Sequence, residues 1–126
     1  MAMAAGLAQL KVLERGGIYE KLEATGSAVE AIFVEELRKA GLQYPWARIG
    51  SMFCLFFRKG GGRVRNLSEA KTCSREGYAK FFHTLLDGGV YFPPSQYESC
   101  FISSTHEGVD LEITQRAVAQ ALRGKA

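Results

Sequence analysis

The run Met52-Phe53-Cys54-Leu55-Phe56-Phe57 places apolar side chains at both parities of an extended segment. A strand with one wet face alternates apolar and polar residues, so this run predicts a strand covered on both sides. It is far short of the roughly 20 apolar residues that a membrane-spanning helix needs. Helices of a small domain can cover one face of a short sheet, and the second face then calls for a partner layer from outside the chain. The chain has 126 residues, 47% apolar and 23% charged. That composition suits one ordinary domain burying about two-thirds of its unfolded surface, and it excludes both a disordered tail and a multidomain enzyme.

The hydrophobic periods on either side of this run set the element order. Met3, Leu7, Leu10 and Leu13 follow a helical stripe that the Gly16-Gly17 pair stops. No Ser, Thr, Asp or Asn precedes it, so this opening helix reads as a cut from something longer. Ile18, Leu22, Val29, Ile32, Phe33 and Leu37 mark a second helix ending near Ala40-Gly41, with Gly26 inside it at a cost of about 1 kcal/mol relative to Ala. Trp46 to Ile49 and Ser51 to Arg58 are predicted strands, with Gly50 as the bend between them. Ser74 is a suitable N-cap for a helix carrying Tyr78, Phe81, Phe82, Leu85 and Leu86 on one face. Val90 to Phe92 and Ser99 to Ser103 read as two further short strands. A last helix spans Glu107 to Leu122, with Ser104 and Glu107 spaced as a capping box. The expected fold is therefore α+β: a two-layer domain with a small, mainly antiparallel sheet packed by helices.

Chemistry-bearing patterns are few. Sixteen Lys and Arg against thirteen Asp and Glu leave +3, with both signs scattered, so no domain-wide field demands a nucleic-acid or membrane partner. Cys54, Cys73 and Cys100 have no disulfide or CxxC spacing and read as reduced, intracellular thiols. The basic glycine loop Arg58-Lys59-Gly60-Gly61-Gly62-Arg63-Val64-Arg65 frees backbone N–H groups among four cations. It lacks a P-loop ending and any aromatic for base stacking, and reads as a solvated connection. His83 and His106 have no carboxylate or thiol at ligand spacing, so no metal site is expected. The most distinctive stretch is Pro93-Pro94-Ser95-Gln96-Tyr97-Glu98, a proline-stiffened polar loop that ends in a carboxylate just before an apolar strand. By its chemistry it is either a surface loop or a substrate-facing one.

Ala2-Met3-Ala4-Ala5-Gly6-Leu7, Gly50-Ser51-Met52-Phe53, Val64-Arg65-Asn66, Phe81-Phe82-His83, Gly89-Val90-Tyr91-Phe92-Pro93-Pro94-Ser95-Gln96-Tyr97-Glu98 and Ser103-Ser104-Thr105-His106 together resemble the C-terminal part of the glutamate-1-semialdehyde 2,1-aminomutase family. That family lies within the class III pyridoxal phosphate (PLP)-dependent aminotransferases. The resemblance implies the small domain of a fold type I enzyme, which covers an active site whose PLP is held by a separate large domain. Residues 1–16 then correspond to a remnant of the inter-domain helix and residues 17–126 to the small domain. It further implies a cytoplasmic homodimer converting glutamate 1-semialdehyde to 5-aminolevulinate for tetrapyrrole synthesis, with the large PLP-binding domain of the parent chain as partner and neither nucleic acid nor membrane involved.

Such chemistry requires a Schiff-base lysine and a phosphate cradle. None of Lys11, Lys21, Lys39, Lys59, Lys71, Lys80 and Lys125 matches the family's lysine motif. No catalytic or cofactor-binding residue is therefore assigned, PLP is expected in the parent enzyme and not on this stretch, and the stretch alone is expected to be inactive. Glu98 matches the glutamate that the family places at the mouth of the active site, and Gly50-Ser51 match the turn into the central strand. The implied role of Glu98 is to position the amino groups of substrate or intermediate, or to pair with an arginine of the large domain. Departures from the family are Cys100, where relatives commonly have Gly, the longer, more basic loop at Gly60 to Gly62, and Gly108-Val109-Asp110 in place of a more acidic start to the last helix. Two other readings stand beside this one: the small domain of another class III aminotransferase, and a stand-alone binding module that reuses the fold.

Overall fold

The structure is a computed structural model that describes residues 1–124. Five helices and three strands follow in the order α1 (Ala2–Glu14), α2 (Ile18–Ala40), β1 (Trp46–Ile49), β2 (Met52–Leu55), α3 (Leu67–Ala70), α4 (Arg75–Asp87), β3 (Cys100–Phe101) and α5 (Gly108–Arg123). The sheet is antiparallel throughout, in the order β1-β2-β3, with Trp46 opposite Leu55 and Phe53 opposite Cys100. Helix α5 packs against both α2 and α4. The result is the two-layer α+β architecture that the periodicities predict.

One face of the sheet supplies the core. Phe53, Leu55 and Phe57, at one parity of the apolar run, are buried. They meet an aromatic cluster in which Phe33 of α2 stacks on Trp46 at 4.6 Å and lies 5.9 Å from both Phe53 and Phe92. Phe81 of α4 joins the cluster at 5.1 Å from Phe57. Interleaved rings at these separations gain about 0.5–1.5 kcal/mol per pair beyond the area they bury.

The opposite face is left bare by the chain, which lays its helices on one side of the short sheet only. Register puts Ile49, Met52 and Phe101 side by side there, and they are 73%, 40% and 68% exposed. Helix α1 likewise buries none of its side chains, leaving Met3, Leu7 and Leu10 in solvent.

Several predicted boundaries differ, each for a backbone reason. Val90 to Phe92 is not a strand. The Val90 N–H is taken by Leu85 O at 2.8 Å, and Gly89 at φ 82° closes the end of α4, so this stretch serves as a helix stop. The strand predicted over Ser99 to Ser103 shrinks to two residues, because Ser103 N–H turns to His106 Nδ1 at 3.0 Å. Beyond Leu55, Phe56 N–H bonds Pro45 O and Phe57 N–H bonds the Gln96 side chain, which ends regular pairing before Arg58. The N-terminal box of α5 pairs Glu107 with Asp110, whose carboxylate accepts the Glu107 N–H at 2.8 Å, and not Ser104 with Glu107. Helix α3, which the sequence pattern does not predict, is set by Asn66 Oδ1 accepting the Glu69 N–H at 2.9 Å while Glu69 accepts from Asn66 and from Arg65 N–H.

Gly26 in α2 has a packing reason. A Cβ there would stand 2.7 Å from Gly50 O, in the turn joining β1 and β2, and 3.1 Å from an Arg48 guanidinium nitrogen. That guanidinium donates to Gly50 O at 2.9 Å and to Glu23 and Glu30 of α2, so the turn is clamped to the helix and has little room to yield. Arg48 holds the Glu23 carboxyl below its usual range, chiefly by hydrogen bonding. Gly26→Ala gains about 1 kcal/mol of helix propensity, and it meets an overpacking cost of about 1–3 kcal/mol. The expected outcome is a lower urea midpoint; a raised midpoint would show that the turn relaxes freely.

Candidate functional site

The proline-stiffened loop is framed at several points along its length. Phe92 inserts into the aromatic cluster, 5.6 Å from Phe53 and 6.1 Å from Phe81. Pro93 O accepts the Tyr78 hydroxyl at 2.8 Å, and the Gln96 side chain is buried. Between Gln96 and β3 the chain makes a tight turn, with Glu98 N–H donating to Ser95 O at 3.1 Å. The Tyr97 and Glu98 side chains stay on the surface. The Glu98 carboxylate makes no hydrogen bond or ion pair among the described residues.

Behind Glu98 opens a cleft of about 480 Å³, walled by Phe53, Phe92, Ile102 and Leu111 and edged by Glu98, His106 and Asp110. The Nδ1 of His106 accepts the Ser103 N–H, which places the proton of the neutral ring on Nε2. Burial is the main cause that pushes the Cys100 thiol up to about 12, with Cys54 and Glu98 adding negative potential. Burial likewise raises the Tyr78 phenol and the Cys73 thiol above their usual ranges. These thiols and this phenol are held protonated and inert at neutral pH.

The other predicted candidates do not converge on this cleft. The basic loop 58–65 is largely exposed, and each glycine of its triplet takes a positive φ. His83 is exposed on α4. Ser51 lies in the hairpin turn, where its carbonyl accepts the Ile102 N–H at 2.9 Å and so ties the turn to the end of β3. Among the described residues, no three His, Cys, Asp or Glu side chains are grouped to hold a metal, and no helix is long and apolar enough to cross a membrane. Sequence reasoning missed the framing role of Gln96, because a Gln in a polar loop carries no periodic signal that marks it as buried.

Comparison with known proteins reads this arrangement. No protein-family model matches the chain. The glutamate-1-semialdehyde 2,1-aminomutase of Akkermansia muciniphila is 46% identical over 122 residues, 97% of this chain and 28% of that protein. Those of Thermus thermophilus and Methanosarcina acetivorans are 42% and 41% identical, over 97% and 96% of this chain and again 28% of each relative. The chain matches one stretch of that family's proteins. It spans a little over a quarter of the length of the curated relatives it matches.

Solved structures agree on the fold. The PLP-bearing FumI protein of Sphingopyxis sp. MTA144 superposes with a TM-score of 0.76 at 26% identity, over 97% of this chain and 26% of that one. A transaminase with PLP bound gives 0.74 at 19% identity, over 95% and 26%. The chain thus superposes on about a quarter of each of these larger proteins.

PLP itself does not fit the residues present here. Lys11, Lys21, Lys39, Lys59, Lys71 and Lys80 are all exposed, and Lys125 lies outside the described residues. Among the described residues, the cleft beside Glu98 is lined by no lysine or arginine, so these offer neither an amine for a Schiff base nor a cation for a phosphate.

Proposed function

We propose that this chain is the C-terminal small domain of a PLP-dependent glutamate-1-semialdehyde 2,1-aminomutase, with residues 1–16 forming part of the inter-domain helix and residues 17–126 the domain proper. The observation that carries this reading is the 46% identity maintained over 97% of the chain against one stretch of that enzyme. In the parent, a large domain supplies the cofactor, and the whole acts as a cytoplasmic homodimer that isomerises glutamate 1-semialdehyde to 5-aminolevulinate.

The part left to this domain is to cover the site and orient what lies in it. The bare sheet face of Ile49, Met52 and Phe101 and the unburied apolar stripe of α1 are surfaces suited to the large domain. Glu98, exposed at the end of a framed loop, faces the substrate. A carboxylate there attracts amino groups and holds them in register without itself taking the reacting proton.

The 126-residue chain alone is expected to be inactive and to form no stable Schiff base. Incubation with PLP, dialysis and borohydride reduction should leave no lysine labelled stoichiometrically, whereas the full-length protein should retain one label and make 5-aminolevulinate. A stoichiometric label on the short chain, or a full-length protein that makes no 5-aminolevulinate, overturns the reading.

A further inference from the structure

We propose that Gln96 is a positioning residue for Glu98: its buried amide fixes the backbone from which the carboxylate projects. This rests on the reading of Glu98 as substrate-facing.

Gln96 is only 3% exposed, although it sits between two residues that reach solvent. Burying an amide gains nothing over burying a hydrocarbon of the same length unless both of its ends are bonded. Both are. Gln96 Oε1 accepts the Phe57 N–H at 2.9 Å, and Nε2 donates to Ser74 O at 3.2 Å. Ser74 N–H in turn donates to Phe57 O at 2.8 Å, so the amide closes a bridge between the segment following β2 and the N-cap of α4. These are two of the firmest parts of the fold, since Phe57 is 1% exposed and Ser74 Oγ caps α4 through the Gly77 N–H.

Glu98 lies two residues further on, and its side chain has no partner of its own among the described residues. Its placement is therefore inherited from the backbone, which is held on one side by Gln96 and on the other by Cys100 in β3. Only Tyr97, Glu98 and Ser99 separate these anchors. Releasing the Gln96 anchor frees the turn made by Ser95 O and Glu98 N–H, and a displacement of about 1 Å at a positioning group costs up to about 100-fold in rate.

The test is a double-mutant cycle in the full-length holoenzyme, using Gln96→Met, Glu98→Gln and the double variant, with kcat and thermal midpoint read for each. Gln96→Met keeps chain length and deletes both hydrogen bonds. It is expected to lower kcat roughly tenfold beside Glu98 but less than about twofold beside Gln at 98, while its effect on the midpoint is the same in both backgrounds. An equal loss of kcat in both backgrounds, or no loss in either, overturns the proposal, because a purely structural role acts regardless of the charge at 98.

If Gln96→Met does not accumulate as folded protein, Gln96→Glu carries the same cycle. It keeps the acceptor for Phe57 N–H and regains the donor to Ser74 O only when protonated, so its kcat relative to wild type should rise as pH falls. A flat ratio counts against the proposal. Glu98→Gln with wild-type turnover removes the underlying reading of Glu98, and this inference with it; a slow Glu98→Gln beside an unaffected Gln96→Met removes this inference alone.

Discussion

Glu98→Gln in the full-length protein is expected to lower kcat by up to about 100-fold, the scale of losing a group that positions the reacting partners. The thermal midpoint should scarcely move. Glu98 is exposed and its carboxylate has no partner among the described residues, and surface substitutions of that kind usually stay within about 0.5 kcal/mol. The glutamine amide has the carboxylate's shape, so a loss of rate reports the charge itself. Steady-state turnover beside a thermal melt decides the matter: unchanged turnover makes Glu98 an ordinary surface residue, and a fall in midpoint matching the fall in rate makes it a structural one.

Phe33→Ala is expected to have the largest effect on stability. The ring has no exposed surface and contacts Trp46, Phe53, Phe81 and Phe92, so α2, both strands of the first hairpin, α4 and the proline loop all meet on it. Truncating a fully buried phenylalanine costs about 3–5 kcal/mol, a large share of the roughly 5–15 kcal/mol that holds a typical domain together. With an m-value of about 1–3 kcal/mol per molar, the urea midpoint should fall by more than about 1 M. In the 126-residue chain Phe101→Ala is the matched control, the same atoms removed from a ring that is 68% exposed there, and it should move the midpoint by no more than a few tenths of a molar. Equal shifts for the two variants would show that the aromatic cluster is not the centre of the core.

The helices other than α3 were legible because each carries its own signal. Val29, Phe33 and Leu37 recur at the helical period, the Ser74 cap is a local hydrogen bond, and the Gly16-Gly17 and Gly41 stops are local backbone states. The same holds for the first hairpin, where β-formers flank a glycine that adopts φ 54°. Glu98 was legible for another reason. The Pro-Pro-Ser-Gln-Tyr-Glu order resembles a known family, and nothing in periodicity or charge singles it out.

Tertiary structure alone decided the rest. Val90 and Tyr91 have strand composition, yet Val90's N–H is spent on the end of α4, a choice fixed by where α4 stops and invisible in a propensity. The run at Met52 to Phe57 is apolar at both parities, but which parity is core depends on which side α2, α4 and α5 settle. They take the side of Phe53, Leu55 and Phe57 and leave Met52 on the surface. Gly26 reads as a weak point in a helix until Gly50 O is seen 2.7 Å from its missing Cβ. Gln96 reads as loop until its amide is seen bridging Phe57 and Ser74, partners 39 and 22 residues away. Local sequence determines what a segment does with its own neighbours, through caps, turns and periods of a few residues. Contacts across tens of residues depend on the docking of whole elements, and in this chain those contacts set the frame that presents Glu98.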